Sequence, residues 1–302
     1  MSQTSKSPKK VVLAALAVAR RSLPLYAHKF SPKKFTQHQL FACLVLKNFW
    51  KTDYRGVAAQ LHDSAELVQT LALRRVPHFT TLQKASRRLL AHAPTQRLLD
   101  ATVRQHFGRK RRVRSAAIDS TGLQADCASA YFATRRKYGA KSAKTPRKVT
   151  CHRYPKLALV CDTQSHFVLA LHPGRGPRPD IDEFRPLVDQ ARRRARMSRM
   201  AADAGYDSEA NHRFAREECQ IRTMIPPEHG RPTDKPAKGR YRRLMQTRFD
   251  WDVYHERSQA ETVMSMIKRR QGSYVRGRTH WSRCRDLRLL VLTHNILILL
   301  PM

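Results

Sequence analysis

The chain has 302 residues, of which 59 are Lys or Arg and 23 are Asp or Glu, so its formal net charge is +36 and its pI is near 11.1. Positive charge on this scale points to a polyanionic partner, with nucleic acid as the default. The hydrophobic fraction of 41% is typical of a folded protein and excludes a basic disordered tail. No apolar stretch reaches the roughly 18 residues of a spanning helix, so no membrane partner is expected.

Six cysteines are scattered along the chain without the CxxC or CxxH spacing of a zinc site. They are Cys43, Cys127, Cys151, Cys161, Cys219 and Cys284. Nothing in their spacing suggests a disulfide framework, and this pattern is typical of a reducing compartment such as the cytoplasm. We therefore expect a cytoplasmic protein without a structural zinc ion.

Residues 1–108 are predicted to form an all-α domain. Helical periodicity occurs in three segments, which are residues 35–50, 53–73 and 80–93. The candidate N-caps are Thr36, Asp63 or Ser64, and Thr80 or Thr81. The sequence therefore predicts several short helices ahead of any strand.

Two functions for this helical domain remain open. A helix, a short turn and a second helix in a basic protein are typical of a helix-turn-helix DNA reader, in which Lys84, Arg87 and Arg88 would meet phosphates. The alternative is a helical packing or dimerisation domain with a solvated basic face. The sequence favours neither.

From residue 109 the pattern changes to that of a mixed α/β domain, which we predict over residues 109–302. Residues 115–123 resemble a short buried strand ending at Asp119. The following elements are predicted in order: a hairpin over 153–174, a helix over 182–196, a strand ending at Asp203, and a strand over 221–228. Strands that alternate with helices indicate an α/β or α+β domain.

Phosphate could be bound in this chain by a Gly-rich nucleotide loop or by basic side chains, and the sequence offers only the second. The chain has no Gly-rich loop of the Walker or dinucleotide type, which disfavours a nucleotide-driven motor. Lys156 in the predicted hairpin and the basic segment 135–148 are candidate contacts for DNA phosphates instead.

Two aspartates each stand at the end of an apolar strand. Asp119 lies in the segment IDS and Asp203 in ADAGYDS, and carboxylates are rare inside such runs because burying an unpaired charge is costly. Each could simply cap a turn, Asp119 at the backbone of Ser120 or Thr121 and Asp203 at the start of AGYDS. With a third carboxylate, Glu261, they would instead form an acidic site suited to divalent cations.

Glu261 belongs to a polar stripe on a predicted helix. Tyr254, Arg257, Glu261 and Lys268 lie within about 60° of one another around the helix axis. The apolar residues beside this stripe are Val253, Ala260, Met264 and Ile267. They would press the helix onto a core and leave the stripe at the core's edge. A surface ion pair between Arg257 and Glu261 is the plain alternative.

These motifs resemble the DDE transposases of bacterial insertion sequences, in the group marked by a Tyr-x2-Arg-x3-Glu-x6-Lys pattern. The stripe matches that spacing residue for residue, and IDSTGL and ADAGYDS are similar to the two Asp segments of the family. Residues 77–89 are similar to its N-terminal helical region, and 295–297 to its closing helix. The likeness covers most of residues 30–300.

The resemblance implies an RNase H-like catalytic core behind an all-α N-terminal domain, and movement of the element that encodes the protein. Asp119, Asp203 and Glu261 would be catalytic and would bind Mg²⁺ or Mn²⁺, with two ions expected. The spacing leaves no room for the long β-rich insertion of some relatives, so a compact member is expected.

The resemblance also implies the DNA contacts and partners. Arg257 and Lys268 would hold phosphates close to the cut, and Tyr254 would stack on or hydrogen-bond near a strand end. The partner would be double-stranded DNA, both terminal inverted repeats and target, bound by a homodimer or higher oligomer in a prokaryotic nucleoid. A silent transposase-derived DNA-binding protein and a nuclease without strand transfer remain alternatives.

Overall fold

The computed structural model describes residues 6–125, 154–227 and 237–300, and six helices precede the first strand in it. They are α1 (Pro8–Ser22), α2 (Gln37–Phe49), α3 (Tyr54–His62), α4 (Ala65–Thr70), α5 (Phe79–Leu89) and α6 (His92–Phe107). The predicted cap of α2 is confirmed. Thr36 Oγ1 accepts from the N–H of Gln39 at 3.2 Å, and the N–H of Thr36 donates to Gln39 Oε1 at 2.8 Å, which satisfies two terminal groups of the helix.

The start of α5 differs from the prediction. Its N-cap is His78, so Thr80 and Thr81 lie inside the first turn and neither caps the helix. The Thr80 hydroxyl is instead 2.8 Å from His78 Nδ1. Ser64 does precede α4, although its side chain makes no capping hydrogen bond.

Five strands form the main sheet. They are β1 (Arg112–Gly122), β3 (Tyr154–Asp162), β4 (Val168–Gly176), β5 (Arg196–Ala201) and β6 (Arg222–Met224), in the order β4-β3-β1-β5-β6. β1 runs antiparallel to β3 and parallel to β5, while β3 and β4 form the predicted hairpin and β5 and β6 are parallel. This is an RNase H-like sheet, as the family resemblance implied. The two-residue strands β2 (Gln124–Ala125) and β7 (Tyr274–Val275) form a separate parallel pair.

The register of the sheet brings the two candidate aspartates to one edge. Ala117 on β1 is paired with Ala201 on the neighbouring parallel strand β5. Asp119 and Asp203 each follow two residues later. Because parallel strands advance together, these side chains leave the sheet at the same level.

Six further helices follow in the described part of the chain. They are α7 (Phe184–Arg194), α8 (Glu209–Arg213), α9 (Arg240–Thr247), α10 (Trp251–His255), α11 (Ser258–Gln271) and α12 (His280–Ile298). Short 3₁₀ turns at Ile181–Glu183 and Ala204–Tyr206 lead into α7 and follow β5. None of the helices among the described residues is long and apolar enough to cross a membrane.

The two faces of the sheet pack against different helices. Ala117 belongs to an apolar cluster that also holds Phe41 of α2 and Met264 of α11. Ala116 and Ile118 point to the opposite face and pack with the apolar side of α7. The N-terminal helices therefore share a core with one face of the sheet. Asp119 is on the Ala117 face, which is the face that α11 covers.

Candidate active site at the sheet edge

Asp119 lies within β1, which continues three residues beyond the predicted end of the strand. Residues 119–122 stay paired with β3, while the pairing of β1 with β5 stops at Ala117. The carboxylate Oδ1 accepts the backbone N–H of Ser120 at 2.7 Å. The side chain is therefore held beside the point where β1 and β5 part.

Asp203 follows β5 and starts the 3₁₀ turn at Ala204–Tyr206. Its Oδ1 accepts the N–H of Gly205 at 3.0 Å. Both aspartates thus make the backbone hydrogen bonds that the turn-capping interpretation predicted. Each bond involves only Oδ1, so turn capping does not account for the second oxygen of either carboxylate.

The pKa values of Asp119 and Asp203 are both raised, by burial and by the charges of neighbouring carboxylates. Burial raises the pKa of Asp119 to about 6, and the charges of Asp203 and Glu261 raise it as well, against the lowering effects of the Ser120 N–H and Arg257. Burial also raises the pKa of Asp203, followed by the charges of Asp180 and Glu261. The fold therefore gathers negative charge here and incurs a cost for doing so.

The polar stripe is divided between two helices. Tyr254 is on α10, Glu261 and Lys268 are on α11, and a turn at Glu256 and Arg257 separates them, although both turn residues keep right-handed helical dihedrals. The predicted single helix is therefore interrupted. All four apolar residues beside the stripe are buried, as predicted, with exposures of 5% or less.

Three residues of the stripe are in contact. The Arg257 guanidinium lies 5.9 Å from the centre of the Tyr254 ring. Its Nη2 is 2.6 Å from Glu261 Oε1, and the Glu261 side chain is 56% exposed. The ion-pair interpretation of Arg257 and Glu261 is thus realised in this conformation. Such exposed pairs on a helix contribute only about 0.3–0.5 kcal/mol.

Lys268 connects the helix to the strand that carries Asp119. Its Nζ donates to Thr121 Oγ1 at 2.7 Å. Glu256, the other carboxylate near the stripe, is engaged elsewhere. Its Oε1 is 2.7 Å from Arg199 and its Oε2 accepts from the Thr163 hydroxyl at 3.1 Å.

A divalent metal ion is implied by the donor chemistry. Carboxylate oxygens are the preferred ligands of hard divalent cations, and a cation would offset both the burial of the Asp119 charge and its repulsion by Asp203 and Glu261, which raise the pKa of Asp119. Within residues 6–125, 154–227 and 237–300, however, no three His, Cys, Asp or Glu side chains lie close enough together to hold a metal ion. The carboxylate oxygens fit such an ion in kind. In this conformation, however, Glu261 is paired with Arg257, so it is not placed beside the two aspartates.

Lys156, which the sequence predicted as a candidate phosphate contact, lies in the interior. Its side chain is 4% exposed, and Nζ lies 2.6 Å from Asp180 Oδ1 and 3.3 Å from Glu183 Oε1. Nζ also donates to the carbonyl of Arg178 at 2.9 Å. A DNA phosphate would have to displace these oxygens, because an ammonium group has only three N–H donors.

The predicted DNA contacts away from the sheet edge are two side chains on α5 and one basic segment. Lys84 and Arg87 are exposed on α5. The basic segment 135–148 lies outside the described residues.

Sequence reasoning assigned no role to Asp180 at this edge, and it suggested Ser120 only as a backbone partner of Asp119. The Ser120 hydroxyl donates to Asp180 Oδ1 at 2.7 Å. Asp180 is the acidic residue at the end of the proline-rich segment that follows the hairpin. Because β4 runs parallel to β1 and ends at the same edge of the sheet, an acidic residue after β4 could have been expected near Asp119.

The sheet order and this edge define an RNase H-like protein, and comparison with known proteins gives its family. The family model described as the transposase DDE domain matches residues 97–300. The match spans more than half of the chain, so the protein belongs to the DDE-domain transposase family. The resemblance seen in the sequence is confirmed.

Two solved structures are similar to the chain at low identity. The piggyBac transposase synaptic complex with hairpin DNA is 11% identical, covering 97% of this chain and 73% of that chain, with a TM-score of 0.38. A pre-cleavage Mos1 transpososome is 12% identical, covering 90% of this chain and 80% of that chain, with a TM-score of 0.21. No curated protein matches the sequence.

Proposed function

We propose that the protein cleaves DNA at the terminal inverted repeats of an insertion sequence and transfers the cut strands to target DNA. Asp119, Asp203 and Glu261 are the proposed catalytic and metal-binding residues. The observation that carries the proposal is that Asp119 on β1 and Asp203 just after β5 lie at the same level of two adjacent parallel strands, on the side of the sheet where the helix that bears Glu261 packs. Membership of the DDE-domain family supports the same assignment.

Two Mg²⁺ or Mn²⁺ ions are the proposed cofactors. When bound, they would activate the attacking water or 3′-hydroxyl and stabilise the leaving oxygen. The protein contributes carboxylates that are already oriented by backbone hydrogen bonds from Ser120 and Gly205. Their mutual repulsion favours the binding of cations over the empty site.

In the proposed reaction Arg257 and Glu261 would separate, and each would bind a new partner. Because Glu261 is exposed and Arg257 is partly exposed, separating this helical pair costs on the order of 0.5 kcal/mol. Glu261 can then turn toward a metal ion, while Arg257 becomes available to a DNA phosphate. Tyr254, which lies under the Arg257 guanidinium, would be uncovered in the same step and could contact a strand end.

Double-stranded DNA is the proposed partner, bound by a homodimer or higher oligomer. The net charge of +36 supports a long phosphate contact surface. Lys268 is proposed to hold a phosphate close to the cut, and the exposed Lys84 and Arg87 on α5 to hold phosphates further away. Replacing either exposed residue by alanine should lower the slope of log affinity against log salt by about 1.

The test is a cleavage and strand-transfer assay with linear DNA that carries the element's ends, Mg²⁺ and the purified protein. We expect nicked and joined products from the wild type, and none from Asp119→Ala, Asp203→Ala or Glu261→Ala. Asp252→Asn, a change of an exposed carboxylate on α10, is the matched control and should retain activity.

The same assay separates the alternatives. Binding of end-containing DNA without any Mg²⁺-dependent cleavage would identify a silent derivative. Cleavage without joined products would identify a nuclease. Full activity in all three alanine variants would overturn the residue assignment.

A further inference from the structure

Asp180 connects a buried lysine to the strand that carries Asp119. It lies just before the 3₁₀ turn at Ile181–Glu183 that leads into α7, at the end of the segment that follows β4. Its Oδ1 is 2.6 Å from Lys156 Nζ and accepts the Ser120 hydroxyl at 2.7 Å. One carboxylate oxygen therefore joins the buried cation on β3 to the residue next to Asp119.

Ser120 is held by two carboxylates at once. Its backbone N–H donates to Asp119 Oδ1 and its hydroxyl donates to Asp180 Oδ1, both at 2.7 Å. Charge-assisted hydrogen bonds of this length are stronger than neutral ones and fix the direction of the groups they join. The orientation of the Asp119 carboxylate thus depends on a residue that Asp180 positions.

Asp180 also faces the second candidate aspartate. A Cβ built on Gly205 would lie 3.1 Å from Asp203 Oδ1 and 3.7 Å from Asp180 Oδ2, so the two carboxylates border the same small space. The charge of Asp180 is the largest electrostatic contribution that raises the pKa of Asp203. Asp180 is therefore coupled to both aspartates.

Lys156 explains how this additional carboxylate is tolerated. Its Nζ contacts Asp180, Glu183 and a backbone carbonyl, so all three of its donors are used. Burial lowers the pKa of Lys156, but its hydrogen bonds and the two carboxylate charges outweigh this effect and raise the pKa overall. The lysine stays charged and offsets the charge of Asp180.

We propose that Asp180, held in place by Lys156, is a positioning residue that orients Asp119 through Ser120 for metal binding. This inference rests on the proposed function of Asp119. It concerns a residue outside the Asp-Asp-Glu set, acting through hydrogen bonds that the structure shows. Asp180 itself is not assigned as a metal ligand.

The first test measures metal binding without catalysis, as the rise in Tm of the full chain on addition of Mg²⁺. We expect Asp180→Ala and Ser120→Ala to weaken the apparent Mg²⁺ affinity by about tenfold, on the scale of changes to residues that orient metal ligands. Asp182→Asn, which removes an exposed carboxylate two residues away, should leave the affinity unchanged. Asp180→Asn keeps an oxygen acceptor for Ser120 and should retain more affinity than Asp180→Ala.

The second test is a double-mutant cycle on cleavage of end-containing DNA. If Asp180 acts through Ser120, the Ser120→Ala/Asp180→Ala protein should be no slower than the slower single variant. Multiplied effects, or wild-type Mg²⁺ affinity in Asp180→Ala with its fold intact by circular dichroism, would overturn the inference. If Asp180→Ala does not fold, Ser120→Ala and Asp180→Asn decide the question by the same two measurements.

Failure of this inference is distinguishable from failure of the proposed function. A wild-type protein that cleaves and loses activity in Asp119→Ala, but is unaffected by Asp180→Ala and Ser120→Ala, would overturn only the role of Asp180. A wild type that shows neither Mg²⁺-dependent cleavage nor a Mg²⁺-induced rise in Tm would overturn both.

Discussion

Two groups of carboxylates lie at the same edge of the sheet, and they differ in how their charge is balanced. Asp180 and Glu183 are bridged by the buried ammonium of Lys156, at 2.6 and 3.3 Å. Asp119 and Asp203 are bound by backbone N–H groups, and each feels the repulsion of other carboxylates. The buried ammonium offsets one of the two negative charges of the first group, whereas the charges of the second group repel one another and could be balanced by a bound cation.

The comparison teaches that burial of a carboxylate does not by itself indicate function. Glu183 is as buried as a core residue and burial raises its pKa, but the charge and hydrogen bond of Lys156 act against this rise. Asp119 is less buried than Glu183 and has its pKa raised to about 6. The informative property is negative charge that the protein assembles and does not pair.

The largest expected effect concerns the two carboxylates that Lys156 bridges. Lys156→Met should destabilise the protein by about 3 kcal/mol, because the buried Glu183 and the partly buried Asp180 would lose their cation. Urea unfolding followed by circular dichroism measures this change. The exposed Lys84→Met should shift the free energy of unfolding by less than about 0.5 kcal/mol. Equal stability of the two variants would remove the distinction between the two groups.

Removing the charge of Asp119 should stabilise the fold, whereas removing the charge of Lys156 should destabilise it. Asp119→Asn should abolish cleavage, with a loss on the order of a thousandfold, yet raise the stability of the metal-free protein. The physical reason is that the amide removes a buried, repelled charge. Thermal unfolding in EDTA at pH 8 checks the second part. A lower Tm than that of the wild type would show that the carboxylate is structurally required.

His294 offers a pH test of how the fold treats a buried ionisable group elsewhere. Burial lowers its pKa to about 4, and its Nε2 is 2.9 Å from the His166 carbonyl. Since the unfolded chain binds the proton more readily, the contribution of His294 to stability is complete above about pH 6.5 and is lost as the pH falls toward 4. The loss should amount to about 3 kcal/mol.

The measurement is the free energy of unfolding of the wild type and His294→Gln between pH 7 and pH 4. The difference between the two proteins should shrink as the pH falls, because glutamine does not titrate. A constant difference across this range would contradict the assignment.

The smallest expected effect concerns the exposed pair. Arg257→Gln should change stability by about 0.5 kcal/mol, because a partly exposed ion pair on a helix contributes little. It should nevertheless weaken binding of end-containing DNA in the presence of Mg²⁺, as measured by fluorescence anisotropy. Loss of stability without loss of DNA affinity would assign Arg257 to the fold and not to DNA.

Local sequence patterns were sufficient for the elements whose signals are local. The hairpin of β3 and β4, helix α7 and the Thr36 cap of α2 follow from periodicity and capping chemistry within a few residues. The break between α10 and α11 was not predicted, because the helical periodicity of the apolar residues continues across it.

The sequence by itself determined the composition of the candidate site and the family of the protein. An aspartate after each of two apolar strands, and a glutamate at fixed spacing from Tyr, Arg and Lys, are properties of short segments. Only the tertiary structure decided which charges are balanced. Lys156 has the sequence signature of an exposed hairpin lysine, but strand order and register place it against Asp180 and Glu183. Charge pairing depends on distances between residues far apart in the chain, and these are fixed when the sheet assembles.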